Sequence, residues 1–169
     1  LPLEDQIGVL VNADVAAVLR HAAAHVLVDD VVAPTPDEGA AHHLFRVLRV
    51  RDGEVVTVTD GAGAWRVCRA ERGELSPVSE PASEPRRPFP VTVAFAIPKH
   101  DRPEWIAQKL TELGVDRIVV LHAERSVVRW DADRAERHLH KLRRVAIEAL
   151  QQSRGVWLPE ISGPVWAAD

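Results

Sequence analysis

The sequence predicts a mixed α/β chain in two parts: a small β-barrel, then the first half of an α/β sheet domain. Three observations predict it. Short β-branched stretches separated by Gly and Asp turns occupy residues 25–80. A proline-rich stretch, PVSEPASEPRRPFP, runs over 77–90 and suits a semi-rigid connection. Beyond it, an apolar run, an amphipathic segment and a second apolar run follow in the order strand, helix, strand. The expected divisions are an extension over 1–24, a barrel over 25–80, a linker over 81–90 and a second domain over 91–169.

Taken in order, residues 1–24 are Ala/Val-rich with weak helical spacing, and a loosely attached helix is expected there. His25–Val28 reads as a short strand, stopped by Asp29, Asp30 and the Pro34-Thr-Pro36 breaker. EGAAHHLFRVL at 38–48 follows helical spacing, with Leu44, Val47 and Leu48 on one side. Val55–Val58 is a β-branched strand, Asp60–Gly63 a hairpin loop and Trp65–Arg69 the return strand. Leu75–Val78 reads as one more.

In the second part, Val91–Ile97 is continuously apolar, the pattern of a strand buried on both faces. A helix is expected from Pro103 to Leu113, burying Ile106, Leu110 and Leu113, with Gly114 as its stop. Arg117–Leu121 is the next strand, so the two strands should be parallel. A long helix follows over 132–152, with Asp131 as N-cap and Leu139, Leu142, Ala146, Ala149 and Leu150 on its apolar side. After Pro159 the pattern dissolves; residues 156–169 leave room for the start of a third strand and a loop, and no completed sheet is expected.

Composition excludes several classes. Apolar residues make up 46% and charged residues 27%, ordinary globular values that argue against disorder. No apolar run is long enough to span a bilayer, and the start lacks the basic and apolar regions of a signal peptide. A lone Cys68 agrees with a reducing compartment, so a cytoplasmic protein is expected. Net charge is −4, yet residues 99–154 hold twelve Lys/Arg against nine Asp/Glu. Such a basic segment suits phosphate contact, and charge alone equally suits solvated helix surfaces. His42 and His43 lack partners at ligand spacing, so no metal is expected.

Polar groups gather at two strand exits. Lys99, His100 and Arg102 follow the first strand of the second part; Glu124, Arg125 and Ser126 follow the second. In a parallel sheet both sets emerge at one carboxyl edge and should lie close together. Arg129 and Trp130 extend the set, and cations beside an aromatic ring suit a phosphate backbone and a stacked base. Lys109 and Glu112 read as a surface ion pair. Gln152 and Arg154 close the long helix with polar groups.

AAHHLFRVLRVRDGEVVTVTDGAGAWR at 40–66 resembles the N-terminal PUA-like domain of the RsmE family, bacterial 16S ribosomal RNA uridine N3-methyltransferases. IPKHDRPEWIAQKLTELGVDRIVVLHAERSVVRW at 97–130 and EALQQSRGVWLPEI at 148–161 are similar to that family's SPOUT methyltransferase domain. The resemblance implies a PUA-like RNA-binding barrel and an α/β-knot domain that binds S-adenosylmethionine. It also implies methylation of N3 of one uridine in the small-subunit RNA, a homodimer, and no metal. Arg46, Arg49, Lys99, Arg102, Arg129 and Arg154 fall on its basic motifs as candidate RNA contacts. Lys109, Glu112, Ser126 and Gln152 would line the pocket or hold structure. Arg125 is the candidate for stabilising the uridine anion.

The family's Gly-Pro-Glu-Gly-Gly loop, part of its knot and cofactor pocket, is not found; Gly163-Pro164 is followed by Val165-Trp166. The chain also starts at Leu1 without any Met. A piece of the enzyme is therefore expected, trimmed at both ends, with no cofactor residues of its own and no activity alone. A free-standing, non-catalytic RNA-binding module is the alternative, and a partner-binding domain a third reading.

Overall fold

The computed structural model describes residues 15–99, 102–125 and 128–167. The chain divides into two compact units, Leu1–Pro85 and Arg86–Asp169.

The first unit begins, among described residues, with helix α1 (Val15–His21). Residues 1–14 of the expected extension lie outside the described residues. The described part is not loosely attached. Val18 and Leu19 are buried, and the Ala23 N–H donates to the Val55 carbonyl at 2.7 Å. Strand β1 (Ala24–Leu27) pairs in parallel with β2 (Val55–Thr59). β2 pairs antiparallel with β3 (Ala64–Glu71), which carries β4 (Glu74–Pro77) near one end and β5 (Ala82–Ser83) near the other. Among the described residues this is an open path, β1-β2-β3-β4 with β5 on β3.

β2 alternates two kinds of buried residue. Val56 and Val58 join Ala24, Val26, Leu44, Cys68 and Leu75 in the core. Thr57 and Thr59 point the other way and are also buried, which requires hydrogen bonds. Thr57 Oγ1 lies 2.8 Å from His25 Nδ1, and Thr59 Oγ1 donates to the Ala64 carbonyl at 2.8 Å. The hairpin turn is held by Asp60, whose Oδ1 accepts from the Ala62 and Ala64 N–H groups at 2.7 and 3.0 Å.

The helix expected over 38–48 differs. Asp37 caps a short helix α2 (Glu38–His42), accepting from the Ala40 N–H at 2.7 Å. The chain then widens into a π-helical turn, His43–Val47, closed by Leu48 N–H to the His43 carbonyl at 2.9 Å. A π turn uses more residues per revolution, so positions after Leu44 rotate off its face. Leu44 is buried, whereas Val47 and Leu48 are 56% and 49% exposed.

In the second unit, β6 (Thr92–Ala96), β7 (Arg117–His122) and β8 (Glu160–Trp166) form a parallel sheet in that order. Helices α3 (Arg102–Glu112) and α4 (Ala132–Ser153) share one face of it. Ala107, Ala135, Leu139, Leu142 and Ala146 pack there with Ile118, Val120 and Ile161. α4 begins at the expected cap, with Asp131 Oδ1 accepting from the Arg134 N–H at 2.9 Å, and it buries the expected side.

Two expectations here are corrected, and one is sharpened. β6 is not buried on both faces: Val93 and Phe95 pack on the core, while Thr92, Ala94 and Ala96 are exposed. Only one face of this strand meets helices. α3 buries Pro103, Ala107 and Thr111, spaced four apart, and Leu113 is 70% exposed. Gly114, at φ +71°, donates to the Thr111 carbonyl, and Val115 N–H donates to the Leu110 carbonyl. That closing turn lifts Leu113 off the helix face and buries Val115 instead. The third strand for which residues 156–169 leave room does form, over 160–166. Its Gly163-Pro164 bond is cis, and its register on β7 shifts between Val119 and Leu121. A proline and a shift of this kind hide a strand from any two-residue alternation.

The proline-rich connection is anchored from both sides. β5 ties Ala82 and Ser83 to β3. Arg86 lies over the Trp157 ring at 4.4 Å, and Arg87 donates to the Leu113 carbonyl at 3.0 Å. Among the described residues, no helix is long and apolar enough to cross a membrane.

Candidate nucleic-acid interface

The three parallel strands of the second unit end side by side, with Ala96, Leu121 and Val165 in register and His122 opposite Trp166. Both helices start where those strands finish, α3 at Arg102 and α4 at Ala132. Their N-terminal N–H groups therefore face the same edge, where partial positive charge favours an anion.

Aromatic rings follow one another along this edge. The Trp166 and His122 rings meet edge to face, with centroids 5.4 Å apart and planes at 70°. His122 Nε2 accepts from the Trp130 backbone N–H at 3.3 Å. The Trp130 indole stacks on the His138 imidazole at 4.3 Å, with planes within 8°. Cations flank the rings: the Arg129 guanidinium lies 5.2 Å from the Trp166 centroid, and Arg134 Nε lies 3.5 Å from His138 Nε2. A cleft of about 320 Å³ opens here, walled by Pro98, Pro103, Val128 and Trp130, with Lys99, Arg134 and His138 at its polar side.

His138 is held below the usual imidazole range, first by burial and then by the Arg134 charge. Glu104 opposes this, while Lys141 and Arg137 add to it. Near neutral pH the ring is thus an uncharged stacking surface beside permanent cations. Glu104 is itself tied to Lys141, Oε1 to Nζ at 2.8 Å, across the two helices.

The structure separates the expected residues into three places. Lys99, Arg102, Arg125, Arg129 and Trp130 gather at the carboxyl edge, with Lys99 in the cleft and Arg129 on Trp166. His100 and Ser126 lie outside the described residues. Lys109, Glu112, Gln152 and Arg154 sit at the opposite ends of α3 and α4, toward the edge where the strands begin. There Glu112 accepts from Lys109 at 2.7 Å and from Gln108 at 2.9 Å, and the Lys109 bond above all holds its carboxyl below the usual range. Arg154 caps α4 in a left-handed conformation, φ 59°. A second cavity of about 250 Å³ opens at this amino edge, but its charges are already matched. Arg86 pairs with Asp116 at 3.8 Å and Arg117 with Glu160 at 3.1 Å. In the first unit, Arg46 lies in the π turn and Arg49 follows at φ 57°, both exposed.

Sequence reasoning passed over His122 and Trp166. Their only signal is the pairing of two strand ends, which residue types do not reveal. Among the described residues, no group of three or more His, Cys, Asp or Glu side chains is placed to hold a metal ion. Cations, apolar walls and aromatic planes together can pair with phosphates and stack on bases.

A strand-edge surface of this kind on a parallel α/β sheet is suited to nucleic acid, and known proteins of similar sequence and fold narrow the class. Residues 85–169 match the family described as RNA methyltransferase domain, and residues 36–71 match RNA methyltransferase PUA domain. The chain belongs to this family of RNA methyltransferases. Its relatives include ribosomal RNA small subunit methyltransferase E, the family that its motifs resemble. The Mycobacterium tuberculosis protein of that name is 36% identical over 132 residues, covering 75% of this chain and 49% of the relative. The Bacillus subtilis protein is 32% identical over 125 residues, 71% of this chain and 49% of the relative. The chain thus spans about half the length of these relatives.

Solved structures agree. The S-adenosylmethionine-bound ribosomal RNA small subunit methyltransferase E of Neisseria gonorrhoeae superposes with TM-score 0.65 at 30% identity, covering 76% of this chain and 55% of that one. A putative methyltransferase of Legionella pneumophila, in complex with the same cofactor, gives TM-score 0.70 at 25% identity over 84% of this chain and 62% of that one.

Proposed function

We propose that this chain is the substrate-holding part of a methyltransferase that transfers a methyl group from S-adenosylmethionine to N3 of one uridine in 16S ribosomal RNA. The carrying observation is the cationic and aromatic carboxyl edge of the second unit, together with family membership. On this reading residues 25–80 are a PUA-like RNA-binding barrel and residues 91–169 the first half of a SPOUT α/β-knot domain. The protein works in the cytoplasm on the small ribosomal subunit, as a homodimer.

The carboxyl-edge cleft suits RNA and does not suit the methyl donor. Among the described residues its charged lining is Lys99 and Arg134, with no carboxylate to face a sulfonium cation. The methyl donor is therefore expected elsewhere than in this cleft. The chain's own residues bind and orient the acceptor. Arg46 and Arg49 in the first unit, and Lys99, Arg102 and Arg129 in the second, hold phosphates. Uridine N3 carries a proton that must leave before N3 can attack a methyl group. Arg125, exposed in the turn after β7, stabilises the uracil anion once that proton has gone. Lys109, Glu112, Gln152 and Arg154 lie at the far ends of the helices, which favours structural roles for them.

The test uses the protein that carries this chain, radiolabelled S-adenosylmethionine and small-subunit RNA. Expected is label in N3-methyluridine, with Arg125→Ala slowing transfer about 100-fold. Label in another nucleoside, or none in RNA, would refute the reading.

A further inference from the structure

Resting on that RNA-handling reading, we infer that Trp166 is a stacking platform for one unpaired nucleobase, with Arg129 beside it to take the adjoining phosphate. The chain holds several solvent-facing aromatic residues, and their surroundings separate them. Phe89 is 80% exposed and Trp105 is 61% exposed on the outer side of α3. Trp157 also carries a guanidinium, but from Arg86, which pairs with Asp116 at the amino edge. Trp166, at the end of β8 on the carboxyl edge, has both a ring meeting it edge to face and a guanidinium beside it.

Its setting is built rather than incidental. Pairing of β8 with β7 places Trp166 opposite His122, whose ring meets the indole edge to face. His122 is in turn oriented by the Trp130 backbone N–H. The indole is braced on that side and stays 43% exposed. An indole held in place and left this open offers a flat apolar surface to a flat partner. A purine or pyrimidine has the matching flat shape, and stacking accepts any base because every base has a π-face.

Arg129 decides between a base and a purely apolar partner. Its guanidinium lies within cation–π range of the indole and is exposed, as is Arg125 nearby in the chain. A greasy protein surface would have to desolvate both cations, whereas a nucleotide brings its own phosphate. The ring series continues from Trp166 through His122 to the Trp130–His138 cleft with Lys99 and Arg134. A single strand laid on Trp166 therefore has a second cationic position beside it, at Lys99 and Arg134, while Trp130 itself is buried.

The experiment measures binding of the 169-residue chain to labelled hexauridylate and to an abasic ribose-phosphate hexamer across a salt series. Trp166→Ala is expected to weaken hexauridylate binding about 5- to 150-fold, leave the salt slope unchanged and leave abasic binding unchanged. Trp166→Phe, which keeps a ring, should recover most of the affinity. Arg129→Ala should lower the salt slope by about 0.7 on both strands. An unchanged thermal midpoint for Trp166→Ala separates lost stacking from lost folding. If Trp166→Ala binds hexauridylate as the parent does, or loses equally on the abasic strand, the platform is refuted while RNA handling stands. If the parent chain binds neither strand, the RNA-handling reading falls, and the platform with it.

Discussion

Replacing Gly163 by Ala tests how β8 is held on β7. Gly163 has φ +103°, a region that residues with a Cβ rarely enter. An added Cβ would overlap the Val120 carbonyl oxygen and would lie 3.1 Å from the Val120 nitrogen and 3.2 Å from its carbonyl carbon. These are backbone atoms of the central strand and cannot swing aside. The backbone strain costs about 1–3 kcal/mol and the overlap about 1–3 kcal/mol more, so a loss of about 4 kcal/mol is expected. With a urea slope of about 2 kcal/mol/M, the midpoint should fall by about 2 M. Tryptophan fluorescence is the natural probe, because Trp105, Trp130, Trp157 and Trp166 all lie in the second unit. Gly53→Ala is the control: at φ +90° with nothing within 4 Å of the new Cβ, it bears the strain without the overlap. A midpoint for Gly163→Ala within about 0.3 M of the parent would refute the close approach.

Further outcomes are expected. Arg46→Ala with Arg49→Ala should weaken RNA binding and flatten its salt dependence, and an unchanged slope would return both to ordinary surface charges. Cys68 is fully buried, and burial pushes its thiol up to about 11, against a smaller opposing pull from Arg66. At pH 8 only about a thousandth would be thiolate, so the folded chain should resist alkylation that the urea-unfolded chain undergoes readily. His138 gives a pH-dependent stability. Its folded pKa lies below the unfolded value of 6.5, so the unfolded chain takes up the proton first. The stability present above pH 6.5 is then lost as pH falls through the folded value. His138→Phe keeps a ring on Trp130 without the titration. Urea midpoints at pH 7.5 and 5.5 should differ less for the variant than for the parent, and equal differences would contradict the assignment.

Helix α4 was legible in the sequence because its local signals agreed: Asp131 as cap, an apolar side at helical spacing, and polar groups at its close. β2 and β3 were legible from β-branched residues and a Gly-rich turn. The failures have separate causes. An apolar run such as Val91–Ile97 reports what a strand can bury, not what covers it. Leu113 looked like core by hydrophobicity, but the closing turn at Gly114 decides where it points. β8 was only faintly legible because Gly163 and Pro164 break the alternation that marks a strand. The same gap explains the candidate interface. Lys99, Arg102, Arg129 and Trp130 were found by their position after strands, a rule that sequence can apply. Trp166 and His122 were passed over because only strand pairing brings the two together, across more than forty residues of sequence.

The π turn at His43–Val47 has a consequence of a different kind. One hydrogen bond spanning five residues, Leu48 to His43, is equivalent to a single extra residue wound into a helix. Deleting one residue there would rotate everything downstream by about 100°, the angular step of an α-helix. Arg46, Val47 and Leu48 would all change direction with no change in their chemistry. At this point a one-codon insertion or deletion redraws the surface more thoroughly than any substitution, and residue-by-residue alignment across it compares side chains that face different ways.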